Sequence, residues 1–362
     1  MRPARWLVVA GEPSGDRLAA RAVHTAGIHG APWVFEGAVG PAGTAAGVIP
    51  FGTAPAGAMG LIDVLPGALR LRALARQLLD ARARWDAALL VDLHGFTLPL
   101  GRALRARGMP VVLLSAPQVW AWRPERARTL DACARSVGCL LDFEPPLLRA
   151  LGVRQATVRF VGHPAAEEVP QGEPGDTTTL AVLPGSRARE VARMLPVLRE
   201  AAARLTARGL LDRVLTAVPP ERAGDPALRG TTAVTGLDAA RDALATASVA
   251  VACSGTVTLE CALAGVPTVV VYRTDPVTAA VARWVLHTPW IALPNVLLGR
   301  PALPELLQSE VTPDAVARAV ESALTPARRR AAREDGAVLR ARLAPPGGHG
   351  ARVLALMDEA LG

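Results

Sequence analysis

Two carboxylates, Glu12 and Asp16, bracket Ser14 and Gly15 in the stretch AGEPSGD (10–16). An apolar run, WLVVA (6–10), precedes them and a helix-like stretch follows. A turn from strand to helix can offer free N–H groups and a positive dipole end to an anion. This turn is neither a G-x-G-x-x-G nor a Walker loop, and its two acids would repel a phosphate. Their chemistry suits sugar hydroxyls or a general base. The alternative is a plain connection with Ser14 as N-cap. A third acid, Asp92, ends the apolar run in LLVDLHGF (89–96), where a carboxylate should face a ligand cleft. Its alternative is an Asp that caps the next helix, and a lone His such as His94 reads more often as structural than as catalytic.

Other turns carry the opposite chemistry. In AVLPGSRAREV (181–191), Gly185 and Ser186 form a tight turn with Arg187 at a helix start. A guanidinium there offers forked donors to a diphosphate; the alternative is a capped helix with a solvated arginine. In VACSGTVTLECALAGVPTVVVYR (251–273), Ser254, Gly255 and Thr256 again follow a strand. Glu260 lies one helical turn after Thr256 and points the same way, as a ribose-binding acid would. A capped crossover helix with a solvated Glu260 is the plainer reading. The block SAPQVWAWRPERAR (115–128) combines Gln118, Trp120 and Arg123, aromatic faces and cations that suit sugars, acyl chains or anions, or else a packed turn with Trp120 in the core. Asn295, in WIALPNVLLGR (290–300), is the chain's one asparagine and hints at a hydrogen-bonding need. AMGLIDVLPGALRLRALARQLL (58–79) mixes apolar residues with Arg70, Arg72 and Arg76; it reads as a bilayer-facing stretch, an acyl-chain cradle or an ordinary amphipathic helix.

Composition narrows the chemistry. All 40 cations among 362 residues are arginines, so a pyridoxal Schiff base and a Walker lysine are both excluded. The net charge of +8 favours an anionic membrane or a phosphorylated substrate. Nucleic acid ranks last, because aromatics are only 4% and the arginines are interspersed with acids. No apolar run reaches the ~18–20 residues of a membrane span, and no signal-peptide pattern opens the chain, so a cytoplasmic location is expected. Cys133, Cys139, Cys253 and Cys261 are scattered without metal spacing and read as buried small hydrophobes. No metal site is expected.

These residues need strands to end beneath them. Short apolar runs alternate with longer Ala/Leu/Arg stretches, which implies parallel sheets with crossover helices. The alternation breaks at HPAAEEVPQGEPGDTT (163–178) and then restarts. The expected organisation is a Rossmann-like domain over 1–163, a linker over 164–178 and a second Rossmann-like domain over 179–343. A last helix, 350–362, returns to the first domain, stays where it starts or crosses to a second chain. The fold class is α/β, with two doubly wound Rossmann-type domains facing across a cleft, and ligands should sit beyond the carboxyl ends of the strands.

Taken together, the motifs resemble the lipid-A-disaccharide synthase family. AGEPSGD (10–16), SAPQVWAWR (115–123), LPGSRAREV (183–191), SGTVTLECALAGVPTVVVYR (254–273) and LPNVLLGRPALPELLQ (293–308) match it in order over roughly residues 6–310. The resemblance implies a GT-B glycosyltransferase that moves 2,3-diacylglucosamine from UDP-2,3-diacylglucosamine to 2,3-diacylglucosamine 1-phosphate. It implies work at the cytoplasmic face of the inner membrane, peripheral on an anionic surface, with no cofactor and no nucleic acid; a homodimer is allowed. Where the family usually reads DAPDFN, this chain reads DLHGFT (92–97), so the second acid is Gly95. Asp92 is therefore the expected base, with Glu12 and Asp16 as competitors. Arg187 is expected to stabilise the leaving group. Ser14, Gly15, Gln118, Trp120, Arg123, Ser186, Ser254, Gly255, Thr256, Glu260 and Asn295 are expected to contact substrate, with main chain near Gly236 around the uracil.

Overall fold

The apolar runs form two parallel sheets. The structure is a computed structural model that describes residues 2–51, 64–172, 177–185, 188–218, 223–224, 226–236, 238–275 and 287–362. It divides into two units, Met1–Pro164 with Leu343–Gly362, and Ala165–Arg342.

The first unit contains β1 (Ala4–Ala10), β2 (Trp33–Ala38), β3 (Ile49–Pro50), β4 (Ala87–Val91), β5 (Val111–Leu114), β6 (Ser136–Cys139) and β7 (Thr157–Phe160). They lie in the order β3-β2-β1-β4-β5-β6-β7, every neighbour parallel. The connections are α1 (Pro13–Ile28), α2 (Pro41–Ala45), α3 (Val64–Asp80), α4 (His94–Arg105), α5 (Leu130–Cys133) and α6 (Glu144–Ala150). β1 and β4 are buried on both faces, as a parallel sheet wrapped by helices requires. Leu7, Val9, Ala88 and Leu90 face a core closed by Leu74, Leu78, Leu100 and Leu104 from α3 and α4. Trp6, Val8, Leu89 and Val91 face the other way, against Leu18, Ala22 and Val23 of α1.

The second unit begins with α7 (Ala165–Glu168) and holds β8 (Thr179–Leu183), β9 (Arg213–Ala217), β10 (Thr232–Val234), β11 (Val249–Cys253), β12 (Thr268–Tyr272) and β13 (Glu305–Leu307). Their order is β10-β9-β8-β11-β12-β13, again parallel throughout. Its helices are α8 (Ala188–Ala207), α9 (Ala239–Ala245), α10 (Thr256–Leu263), α11 (Leu293–Leu298), α12 (Pro313–Ala323) and α13 (Pro326–Leu343). Val249, Val251, Val269 and Val271 pack against Met194 and Leu198 of α8 and Val316 and Val320 of α12. In each sheet the order reverses beside the first strand, between β1 and β4 and between β8 and β11. Ligands of such sheets bind at that switch point, outside the carboxyl ends.

One boundary differs from the sequence expectation, and one open alternative is resolved. The stretch 164–178 does not read through as a linker: α7 forms at once, and the Arg340 guanidinium donates to Ala166 O and to Val169 O. The Gly172 N–H donates to Ala264 O at 2.8 Å. Its Pro and Gly content hid backbone that is tied to the second unit. The last helix, α14 (His349–Leu361), belongs to the first unit, where Val353, Leu356, Met357 and Ala360 join the core on the α1 side of the sheet. Gly350 permits this approach, because a Cβ there would lie 2.5 Å from Thr25 Oγ1. All four cysteines are buried, and none is in a disulfide. Among the described residues no helix is long and apolar enough to cross a membrane.

Candidate active site

In the first unit, the exits of β1 and β4 lie side by side, with Ala10 paired to Val91. Helix α1 starts at Pro13 with Glu12 as N-cap, so Ser14 sits inside the first turn and does not cap it. Its Oγ lies 3.5 Å from Asp92 Oδ2 and donates toward it. Gly15 makes the approach feasible: a Cβ there would meet Asp92 Cβ at 3.0 Å. Asp92 does not cap either, since the N-cap of α4 is Leu93. The Asp92 carboxylate is 28% exposed.

The backbone around Asp92 is held in the left-handed region, with φ of 53° at Asp92, 43° at Leu93 and 71° at Ser115. Non-glycine residues there cost roughly 1–3 kcal/mol each and persist only where surroundings impose them. Thr97, fully buried, holds the turn by donating its hydroxyl to Asp92 O at 2.7 Å. This is the residue that replaces the asparagine of the DAPDFN pattern.

Asp16 is a different kind of group from the one the sequence suggested. It is only 5% exposed, and its carboxylate accepts N–H bonds from Gly40, Ala42 and Gly43 at 2.8, 2.8 and 3.0 Å. It anchors the start of α2. Gly40 and Gly43 are required beside it, since a Cβ at either would fall within 3 Å of the carboxylate. A carboxylate spent on three main-chain donors is not poised to take a substrate proton, which removes Asp16 from the competitors for the base. Glu12 stays at the turn, half-buried.

The exit of β5 carries the Trp block. Gln118 and Arg123 are exposed. Trp120 is not an open platform: its Nε1–H donates to Glu144 Oε1 at 3.3 Å and its ring meets Phe143 edge-on at 5.7 Å. The exposed aromatic is Trp122, 36% exposed, with the guanidinium groups of Arg123 and Arg126 at 5.0 and 4.7 Å from its ring centre. Sequence reasoning passed over Glu144. Burial pushes its carboxyl up to about 7, against N–H bonds from Leu141 and Trp120. A glutamate after an apolar strand in LLDFEPP (140–146) was the available signal.

In the second unit, the exits of β8 and β11 are neighbours, Leu183 pairing with Ala252. Gly185 turns at φ 112°, and a Cβ there would lie 2.7 Å from Glu190 Oε2. Ser186 and Arg187 lie outside the described residues. Ser254 Oγ donates to Ile291 O at 3.1 Å. Gly255 is the N-cap of α10, and Gly255 and Thr256 are exposed, which leaves an open helix N-terminus of the kind that receives anions. Gly236, exposed and at φ 126°, follows β10.

Glu260 is buried, and its Oε1 accepts from Arg241 Nε and Nη2 at 3.1 and 3.0 Å. Arg241 also pairs with Glu168 at 2.9 Å. Burial opposes the Arg241 charge, yet the two glutamates hold its pKa above the usual arginine value. The sequence reading of a solvated alternative for Glu260 is thus replaced by a buried ion-pair network, whose arginine that reading did not single out. Asn295 is corrected outright. It is fully buried; its amide donates to Leu303 O and Glu305 Oε1 and accepts from Leu303 N, each at 2.8 Å. Its hydrogen-bonding need is real, but the partners are Leu303 in the loop before β13 and Glu305 at the start of β13, and not a substrate. Among the described residues no group of three or more His, Cys, Asp or Glu side chains could hold a metal ion.

The lipid-A-disaccharide synthetase family model matches residues 6–342. The lipid-A-disaccharide synthase of Myxococcus xanthus is 37% identical over 343 residues, covering 90% of this chain and 89% of its own. That of Anaeromyxobacter dehalogenans is 39% identical over 381 residues, covering 98% and 96%. Among solved structures, the glycotransferase of kitacinnamycin is 19% identical and covers the whole of both chains with a TM-score of 0.65. That last likeness is one of fold, the two-domain α/β architecture of GT-B enzymes.

Proposed function

We propose a reaction for this chain from one premise: it belongs to the lipid-A-disaccharide synthetase family. It is accordingly a glycosyltransferase of lipid A synthesis. The donor is UDP-2,3-diacylglucosamine and the acceptor 2,3-diacylglucosamine 1-phosphate. The 6-hydroxyl of the acceptor attacks the anomeric carbon in one in-line displacement, so the α-linked donor gives a β-1,6-linked disaccharide 1-phosphate and UDP.

The observation that carries the chemistry is Asp92, a part-exposed carboxylate at the β1/β4 switch point, in a strained turn beside Ser14. It takes the proton of the attacking hydroxyl, help of a kind typically worth ~10²–10⁴-fold. Glu12 is the remaining competitor. Ser14, Gln118 and Arg123 are the acceptor contacts in this reading. In the second unit, Ser254, Gly255 and Thr256, with Ser186 and Arg187, meet the diphosphate; Glu260 takes the ribose and main chain at Gly236 surrounds the uracil. Negative charge on the leaving UDP is met by Arg187 and the α10 N-terminus. The step takes no metal, so turnover is expected to survive a chelator.

The acylated substrates bring the chain to a bilayer surface. Leu69, Arg70, Arg72 and Arg76 are exposed along α3, and such arginines favour anionic lipid; Met59, Leu61 and Ile62, which precede them, lie outside the described residues. Salt-sensitive flotation with anionic liposomes is the expected result.

Product analysis with both acylated substrates is the decisive test. The expected outcome is UDP and the disaccharide 1-phosphate, formed only when both are present. Turnover of non-acylated UDP-N-acetylglucosamine would overturn the substrate assignment in favour of another UDP-sugar enzyme.

A further inference from the structure

Asp92 has a neighbour that the established motifs do not use. His94 opens α4 and its side chain is 15% exposed. Its Nε2 lies 2.9 Å from Ser115 O. A carbonyl only accepts, so Nε2 carries a proton and donates it to that bond. In the neutral ring Nδ1 is then a bare acceptor, and Nδ1 is the atom turned toward Asp92, 3.9 Å from Oδ1.

The surroundings keep the ring neutral. Burial pushes the His94 pKa below the ordinary imidazole value; the bond to Ser115 O and the Asp92 charge act the other way, and the Arg126 guanidinium adds to the lowering. The charged groups that face the ring are therefore Asp92 from its own turn and Arg126 from the β5 exit. Two proton acceptors thus point at one another across a gap that closes to hydrogen-bond length with a movement of about 1 Å. Both anchors of the arrangement, the Asp92–Leu93 turn and Ser115, sit in the left-handed region. Strain of that kind at both ends of one contact marks an enforced geometry.

We propose that His94 is the proton partner and positioning residue of Asp92. The inference rests on the reading of Asp92 as the base. As the acceptor O–H bond breaks, its proton goes to the Asp92 carboxylate. The new O–C1 bond forms, the C1–O bond to the diphosphate breaks, and that electron pair leaves with UDP. The proton then passes from Asp92 Oδ1 to His94 Nδ1, leaving an imidazolium beside a carboxylate, and returns to solvent. The segment that departs from DAPDFN loses an acid at Gly95 and supplies a second proton acceptor one residue earlier.

The test is the pH profile of kcat for the full chain and for His94→Gln, His94→Ala and Asp92→Asn, with each fold checked by thermal melting. A glutamine amide can still donate to Ser115 O but has no nitrogen that accepts a proton, so it keeps the structural bond and removes the chemistry. Both His94 variants are expected to lose about ten- to a hundredfold in kcat, with donor KM unchanged, which is less than loss of the base itself. Their acidic limb should move to lower pH, because the imidazole no longer titrates there. A His94→Gln enzyme with wild-type kcat and an unmoved acidic limb, while Asp92→Asn is inactive, overturns the His94 proposal alone. Near-normal kcat in Asp92→Asn overturns the reading of the base on which it rests.

Discussion

The two sheets share the order of their first six strands and the same switch point, with a seventh strand in the first, yet their exit turns carry opposite chemistry. At β1 and β4 the first unit places Glu12, Asp16 and Asp92. At β8 and β11 the second unit places Gly185, Ser254, Gly255 and Thr256. One slot therefore gathers carboxylates, of which Asp16 is already spent on main-chain donors, and its counterpart leaves a helix N-terminus exposed. The backbone follows suit: the first slot holds non-glycine residues at positive φ, whereas the second uses glycine or extended backbone, as at Gly255 with φ 161°. The topology sets where a ligand of such sheets goes, and in the proposed reaction a few side chains at the strand ends set whether the slot takes a proton or meets a phosphate.

Asp92→Asn attacks that contrast at its strongest point. The amide keeps the size and the reach of Ser14 but accepts no proton. kcat is expected to fall by ~10²–10⁴-fold, while binding of the UDP-sugar, measured by calorimetry, stays unchanged because the proposed donor contacts belong to the other unit. The next effect separates two carboxylates of the same slot. Asp16→Ala leaves three main-chain N–H groups of the α2 turn without their acceptor, at roughly 1–3 kcal/mol per group. A loss of about 3 kcal/mol in denaturant melts is expected. Asp16→Ala protein that stays as stable as wild type but loses turnover would return Asp16 to the list of bases.

The contrast was partly legible in the sequence. The alternation of apolar runs and helical stretches gave both sheets, because strands buried on two faces must be apolar throughout. The position of Asp92 after a strand was also readable. What separates Asp92 from Asp16 was not, since that depends on Gly40, Ala42 and Gly43 returning from a distant turn to occupy Asp16. Asn295 misled for the same reason: rarity in the composition flagged a hydrogen-bonding need, but only the fold reveals that Leu303 and Glu305 meet it. Trp120 and Trp122 are two residues apart, and the pattern alone did not decide which ring is spent on Glu144 and which faces out.

The second slot can be broken by charge alone. Gly255 has extended backbone and open space around its Cβ direction, so Gly255→Asp fits without strain. It puts a carboxylate where the diphosphate is expected. Donor KM should rise about ten- to a hundredfold, the cost of one like-charge contact at a helix N-terminus, with an unchanged melting temperature. An unchanged KM would place the diphosphate elsewhere.

The smallest effect sharpens the first slot by asking what its buried acid does. Glu144 sits beneath Trp120 with a carboxyl at about 7, well above the ordinary value near ~4.3 that the unfolded chain would show. The native state therefore keeps a proton that the unfolded state has given up. Stability is highest below the unfolded value, falls as pH rises through the window up to about 7, and levels off above it. Glu144→Gln keeps one acceptor oxygen for the two N–H groups of Trp120 and Leu141 and removes the titration. The lost bond costs the same at every pH, so the stability of the variant relative to wild type should rise by about 1–2 kcal/mol between pH 5 and pH 8. If the two proteins keep the same difference at both pH values, Glu144 carries its charge in the native state, and the slot then holds a further carboxylate beneath the Trp block.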